Sequence, residues 1–212
     1  MIPDKKVMRR LGVKRIMLCI PPLDMGLIVG EFGGVWEIGS SMPPQGLCQI
    51  AAVSRKKGYD VRILDCQILR LTMDEAVKNV ASFEPDYVGI SSTTVSIKNA
   101  ALFAKKIKDA GPSIVTIIGG AHVSALPVET MGEFSGFDVG VVGEGELTFH
   151  ELIEALANRS ALSGIPGLVY RETGSIRTTA PREFIKDLDS LPIPAWDMCP
   201  ALAKNYRTSS QR

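Results

Sequence analysis

A chain of 212 residues that is 45% hydrophobic and 22% charged has the composition of a folded globular protein, which excludes disordered, collagen-like and disulfide-scaffold classes. Its 24 basic and 23 acidic residues leave a net charge of +1 and aromatics make up only 6%, so neither an attractive field for nucleic acid nor a base-stacking platform is expected. No uncharged apolar run reaches the ~18 residues of a membrane helix. The basic start before Arg15 has no apolar core, so neither a transmembrane segment nor a secretory signal is expected and the cytoplasm is the expected location.

Residues 14–20 form an apolar, β-branched run stopped by Pro21 and Pro22. A long glycine-rich stretch follows, with Gly26, Gly30, Gly33, Gly34, Gly39 and Gly46. Leu47, Ile50, Ala51 and Ser54 then fall at helical spacing, and Gly58 is the expected left-handed stop after two lysines suited to the negative end of the helix dipole. Residues 59–64 read as a second strand. Thr72 and Glu75 have capping-box spacing and open a helix to about Ser82. Residues 86–90 are a third strand, 97–110 a helix ended by Gly111 and Pro112, and 113–118 a fourth strand. The fourth run is almost wholly apolar, as in strands buried on both faces of a parallel sheet. A short helix at 127–134, a fifth strand at 138–142 and a helix at 146–158 complete the alternation.

Five strand–helix units predict an α/β fold: a flavodoxin-like (Rossmann-like), doubly wound, five-stranded parallel sheet with strand order 2-1-3-4-5. After Ser160 the pattern changes. Residues 167–171 and 176–178 read as a β-hairpin, and 181–200, with Pro181, Pro192, Pro194 and Pro200, as an extended linker. The expected organisation is an α/β domain at 14–160 and a hairpin and linker extension at 161–212.

Ligands of open α/β sheets bind beyond the carboxyl ends of the strands, where the strand order reverses. The loops there are rich in small residues: the glycine-rich first loop, Ser91 to Thr94, Gly119 to His122, and Gly143 to Glu146. Glycines admit a large flat ligand, and hydroxyls and helix N-termini donate to amide or phosphate oxygens. Each feature also has a plain structural reading: a tight turn at Gly119 and Gly120, a helix cap at Ser91 to Thr94, carboxylates on a helix dipole at Glu144 and Glu146, a satisfied loop histidine at His122. His150 reads as a structural helix residue. Cys19, Cys48, Cys66 and Cys199 form no CxxC pair and read as buried reduced thiols, so no protein-built zinc or iron–sulfur site is expected. The first loop also lacks the GxGxxG and GxxxxGK[ST] motifs of nucleotide sites.

These motifs, in this order, carry a family resemblance. Pro21 and Pro22 after the first strand, Pro43 to Leu47 opening the first helix, GYDVRILD at 58–65, PDYVGISS at 85–92, IGGAH at 118–122, VGEGE at 142–146 followed by Thr148, and LPIPAW at 191–196 resemble the N-terminal cobalamin-binding domain of B12-dependent radical SAM proteins. The likeness spans roughly 14–212 and is greatest to the branch of the anaerobic magnesium-protoporphyrin IX monomethyl ester cyclases and related methyltransferases. It implies a cobalamin site that includes Pro22, Ser91, Ser92, Thr93, Gly119, Gly120, Ala121, His122, Gly143, Glu144, Gly145 and Glu146. Ser91 and Thr93 would take the small-residue role beside the corrin, and Gly119, Gly120 and Ala121 would cradle the cofactor's tail.

The resemblance also implies a following radical SAM barrel of the same chain, with a [4Fe–4S] cluster and S-adenosylmethionine, acting on a small molecule, with tetrapyrroles among the candidates. No CxxxCxxC is present, so this chain is expected to be the cofactor-binding part of a longer enzyme that methylates or oxidatively cyclises, and not to catalyse alone. Wider cobalamin proteins place a cobalt-ligating histidine in a DxHxxG motif after the first strand. Here that loop has no histidine, leaving two arrangements open: no protein ligand beneath cobalt, or a cofactor that keeps its own base. The alternatives are a stand-alone cobalamin-binding or sensing module, and a flavodoxin-like domain for another ligand.

Overall fold

The computed structural model describes residues 12–24, 27, 42–200 and 206. The expected glycines at 26, 30, 33, 34 and 39 lie outside the described residues.

In chain order the elements are β1 (Arg15–Ile20), α1 (Gln45–Lys56), β2 (Asp60–Asp65), α2 (Met73–Phe83), β3 (Tyr87–Ser91), α3 (Ile97–Ala110), β4 (Val115–Gly119), α4 (Ala121–Ala125), α5 (Pro127–Glu133), β5 (Val139–Val141), α6 (Gly145–Asn158), β6 (Leu168–Glu172) and β7 (Ser175–Thr178). They build one sheet in the order β2-β1-β3-β4-β5-β6-β7. The first five strands are parallel and stand in the expected order 2-1-3-4-5.

The sheet has seven strands rather than five, because the hairpin joins it. β6 pairs antiparallel with β5, and β7 with β6. β5 is only three residues long and would otherwise end the sheet with unpaired backbone groups, which the hairpin covers. Its turn needs two positive φ angles, supplied by Thr173 at 47° and Gly174 at 82°, the signature of a two-residue hairpin turn.

Both faces of the sheet are covered. Ile16 and Leu18 of β1 pack beside Leu47, Ala51, Phe149 and Leu152 of α1 and α6, while Met17 and Cys19 face Val80, Phe83, Phe103 and Ile107 of α2 and α3. This is the two-residue alternation of a strand with a core on each side. The hairpin continues it: Leu168 and Tyr170 join the α1–α6 core, and Val169 the other. At Gly89 a side chain would begin 2.8 Å from Leu18 and 3.3 Å from Phe149, so its absence lets α6 lie close against β3.

Local signals hold. Thr72 Oγ1 accepts from the Glu75 N–H while Glu75 accepts from the Thr72 N–H, 3.3 and 2.9 Å, closing the capping box of α2. Gly58, at φ 86°, ends the turn after α1. The proline-rich stretch is docked along α6 and α1. Arg182 donates to Thr148 Oγ1 at 2.6 Å and pairs with Glu151. Ile185 N–H donates to Glu144, Gln49 to the Pro192 carbonyl, and Ala195 N–H to the Cys48 carbonyl.

Candidate functional site

At the carboxyl ends of β1, β3, β4 and β5 the sheet opens into a cleft of about 300 Å³ on the side covered by α1 and α6. It includes the point between β1 and β3 where the strand order reverses. Its floor is apolar, made by Leu18, Ile20, Ile50, Ile117, Val141 and Phe149. Its rim is small and polar: Gln45 and Gly46 from α1, Ser91 from β3, Gly119 and Gly120 after β4, and Gly143 to Glu146 at the start of α6. A groove of about 420 Å³ lies at the opposite edge, against residues 84–87 and 113–115. It is larger, but the sheet's strand ends and glycine turns converge on the smaller cleft.

The rim glycines play different parts. A Cβ at Gly46, Gly119 or Gly143 would meet no described atom within 4 Å. Gly120, at φ 98°, sits so tightly under the neighbouring loop that a Cβ would lie 2.6 Å from the Ser92 carbonyl oxygen. It is required by the backbone, whereas Gly119, in register with Ser91, leaves open space. Both helices that begin at the cleft lack a side-chain cap: α1 starts after Pro44 and α6 after Glu144. Their first N–H groups therefore remain available to oxygen atoms of a ligand. The Glu144 carboxylate instead accepts from Ile185 N–H at 2.9 Å. Glu146 Oε2 is buried at the rim without a hydrogen-bond partner among the described residues.

Of the residues expected at the site, Ser91, Gly119, Gly120, Gly143, Glu144, Gly145 and Glu146 line the cleft together. Pro22, Ser92, Thr93, Ala121 and His122 do not. Pro22 is buried outside the lining. The Ser92 hydroxyl is committed to the Thr93 carbonyl and to Ser96 Oγ, both at 2.9 Å. Thr93 is exposed and closes the 3-10 turn at Thr94–Ser96, so the Ser91 and Thr93 pair splits and only Ser91 faces the cleft. Ala121 is exposed at the start of α4. His122 is buried with Nδ1 3.2 Å from Thr94 Oγ1, beside Lys98, Glu133 and Phe134 in a separate pocket. Gly46 belongs to the glycine-rich first loop expected at this edge and does line the cleft, whereas Gln45 and the apolar floor were not among the expected residues. Core side chains carry no signal of a ligand.

Among the described residues no group of three or more His, Cys, Asp and Glu side chains could hold a metal ion. All four cysteines are free and buried, and burial pushes the Cys48 and Cys66 thiols up to about 12. No described helix is long and apolar enough to cross a membrane. What the cleft offers is a cradle with an apolar floor, glycine walls and backbone donors. These suit a ligand with an apolar portion for the floor and oxygen acceptors for the rim.

Known proteins point the same way. The B12 binding domain family model matches residues 33–153. An uncharacterized methyltransferase, PH0819 of Pyrococcus horikoshii, is 38% identical over 192 residues, covering 90% of this chain and 40% of its own length. The anaerobic magnesium-protoporphyrin IX monomethyl ester cyclase of Rubrivivax gelatinosus is 29% identical over 167 residues, 76% of this chain and 30% of that protein. The chain thus spans well under half the length of these relatives. Among solved structures, the cobalamin-dependent S-adenosylmethionine radical enzyme OxsB superposes with a TM-score of 0.74 at 18% identity, over 94% of this chain and 26% of OxsB. The radical S-adenosylmethionine methyltransferase TsrM from Kitasatospora setae gives 0.64 at 19% identity, over 86% and 31%. With the family model covering more than half of its length, on an α/β sheet of the expected order, the chain belongs to the B12-binding domain family.

Proposed function

We propose that the cleft holds cobalamin, with Gly119 and Gly120 cradling the tail of the cofactor and Ser91 and Gly143 to Glu146 bordering it. The observation that carries this is the set Gly46, Gly119 and Gly143, three positions whose missing side chains leave open space above an apolar floor. Apolar surface on the floor favours burial of an aromatic base. The uncapped starts of α1 and α6 and the Ser91 hydroxyl supply donors for amide and phosphate oxygens. Bound cobalamin supplies a cobalt centre able to carry a methyl group or change redox state. The loop between β1 and α1 contains no histidine, so it offers that cobalt no imidazole.

In the longer protein, we propose, this module at 14–160 and its extension at 161–212 precede a radical SAM barrel that holds a [4Fe–4S] cluster and S-adenosylmethionine, acting in the cytoplasm. Methyl transfer to a small molecule is the favoured reaction over cyclisation of a tetrapyrrole. The 38% identical relative carries methyltransferase in its name, against 29% for the cyclase.

Hydroxocobalamin mixed with the purified chain and passed through gel filtration tests the reading, with visible absorption as the signal. Co-elution near one corrinoid per chain is expected. A Gly119→Leu variant, whose side chain enters open space in the cleft, should elute without corrinoid. Loss of corrinoid from the unaltered chain, or full retention by the variant, would sink the assignment.

A further inference from the structure

The walls of the cleft raise a mechanical question. β4 and β5 share only two paired positions, Ile117 with Val139 and Ile118 with Gly140. Beyond them the β4–β5 ladder stops, while on its other side β5 stays bonded toward the hairpin, the Val142 N–H donating to the Gly167 carbonyl. No further ladder rung joins the two strands where the cleft opens. The Gly120 wall is braced from behind by the Ser92 backbone. At Gly143, by contrast, no described atom lies within 4 Å of where a Cβ would be, and its φ of 79° is a left-handed conformation.

One side chain spans the gap. Ser124 of α4 accepts from the Gly143 N–H at 3.0 Å and donates to the Gly120 carbonyl at 2.9 Å. A hydroxyl is among the few side-chain groups that accept and donate through one atom. It stands where β4 and β5 have no further ladder rung. We infer that Ser124 is a positioning residue that sets the spacing between the Gly119–Gly120 and Gly143–Glu144 walls, and so tunes the cleft for its cofactor.

The inference rests on the cobalamin reading but can be tested apart from it. Two measurements on the unaltered chain, Ser124→Ala and Ser124→Thr serve: hydroxocobalamin titration by visible absorption, and hydrogen exchange of the Gly143 amide without cofactor. Ser124→Ala should weaken corrinoid binding by about 10-fold, the scale of one or two net hydrogen bonds. It should also speed Gly143 exchange by at least a similar factor, while Ser124→Thr, which keeps the hydroxyl, restores both. Unchanged exchange and affinity in Ser124→Ala would overturn the inference. So would unfolding of that variant by circular dichroism, because a clasp confined to the rim leaves the core intact. If the unaltered chain itself binds no corrinoid, the cofactor reading fails while Gly143 exchange still decides the role of Ser124.

Discussion

Gly119 and Gly120 are adjacent and identical in sequence, yet the backbone uses them for opposite ends. Gly120 is held at φ 98° with the Ser92 carbonyl where a Cβ would go. Gly120→Ala should therefore cost about 1–3 kcal/mol of stability, the usual size of local backbone strain, read as a lower midpoint in urea. Gly119→Leu should leave that midpoint within about 0.5 kcal/mol and act on binding alone. The dipeptide was legible as a turn at a strand end, but its division of labour depends on the Ser92 backbone, which no local pattern reveals. His150 is the second case. Its ring is buried against Tyr59, 5.5 Å between centroids, and both ring nitrogens lack a partner among the described residues. Burial pushes its pKa down and Lys57 adds to the effect, against Glu154 and Glu151. The neutral ring is the folded form, so its stabilisation is complete above about pH 6.5 and is lost as pH falls through the lowered value. Thermal midpoints between pH 7.5 and 5 should fall more steeply for the unaltered chain than for His150→Leu. Parallel curves would remove His150 from the account.

At the scale of elements, strand order was readable because alternating strands and helices with right-handed crossovers allow few topologies. The capping box at Thr72 and Glu75 was readable because both partners lie within four residues. Thr72→Ala should cost about 1 kcal/mol and lower the melting temperature by about 2–4 °C, with cobalamin retention unchanged, since α2 packs on the face opposite the cleft. A change in retention would mean that the two faces of the sheet are coupled. What local pattern could not show is where the hairpin goes. Alternation at 168–178 marks a hairpin but names no partner edge, and the answer lay in β5 being too short to finish the sheet. The same shortness ends the β4–β5 ladder at Gly140, so one local shortfall shapes both the sheet edge and the cleft.

At the scale of the molecule, the cleft and the proline-rich strap form one mechanical unit. The strap touches α6 through Arg182 and its N-cap Glu144 through Ile185, then α1 through Pro192, Ala195 and Asp197. Both helices begin at the cleft. Composition identified this stretch as an extended linker, but contacts across more than 140 residues, such as Cys48 with Cys199, are invisible to any local reading. Those two thiols lie 3.2 Å apart where the strap meets α1, whereas Cys19 and Cys66 are sealed in the core on the other face. The four cysteines thus report on two different events. In native buffer the unaltered chain should give almost no reaction with an aromatic disulfide reagent, because all four are buried and burial raises the Cys48 thiol to about 12. Ala195 is fully buried and its N–H donates to the Cys48 carbonyl. Ala195 packs in an apolar cluster, so a carboxylate in Ala195→Asp should lift the strap at a cost of several kcal/mol to the docked state. Two thiols should then react while two stay silent, and hydroxocobalamin should bind more weakly as the start of α1 loosens. Reaction of all four would mean that the strap and the sheet unfold as one. Continued silence would mean that the strap holds without Ala195, and its link to the cleft would have to be sought at Arg182 and Glu144 instead.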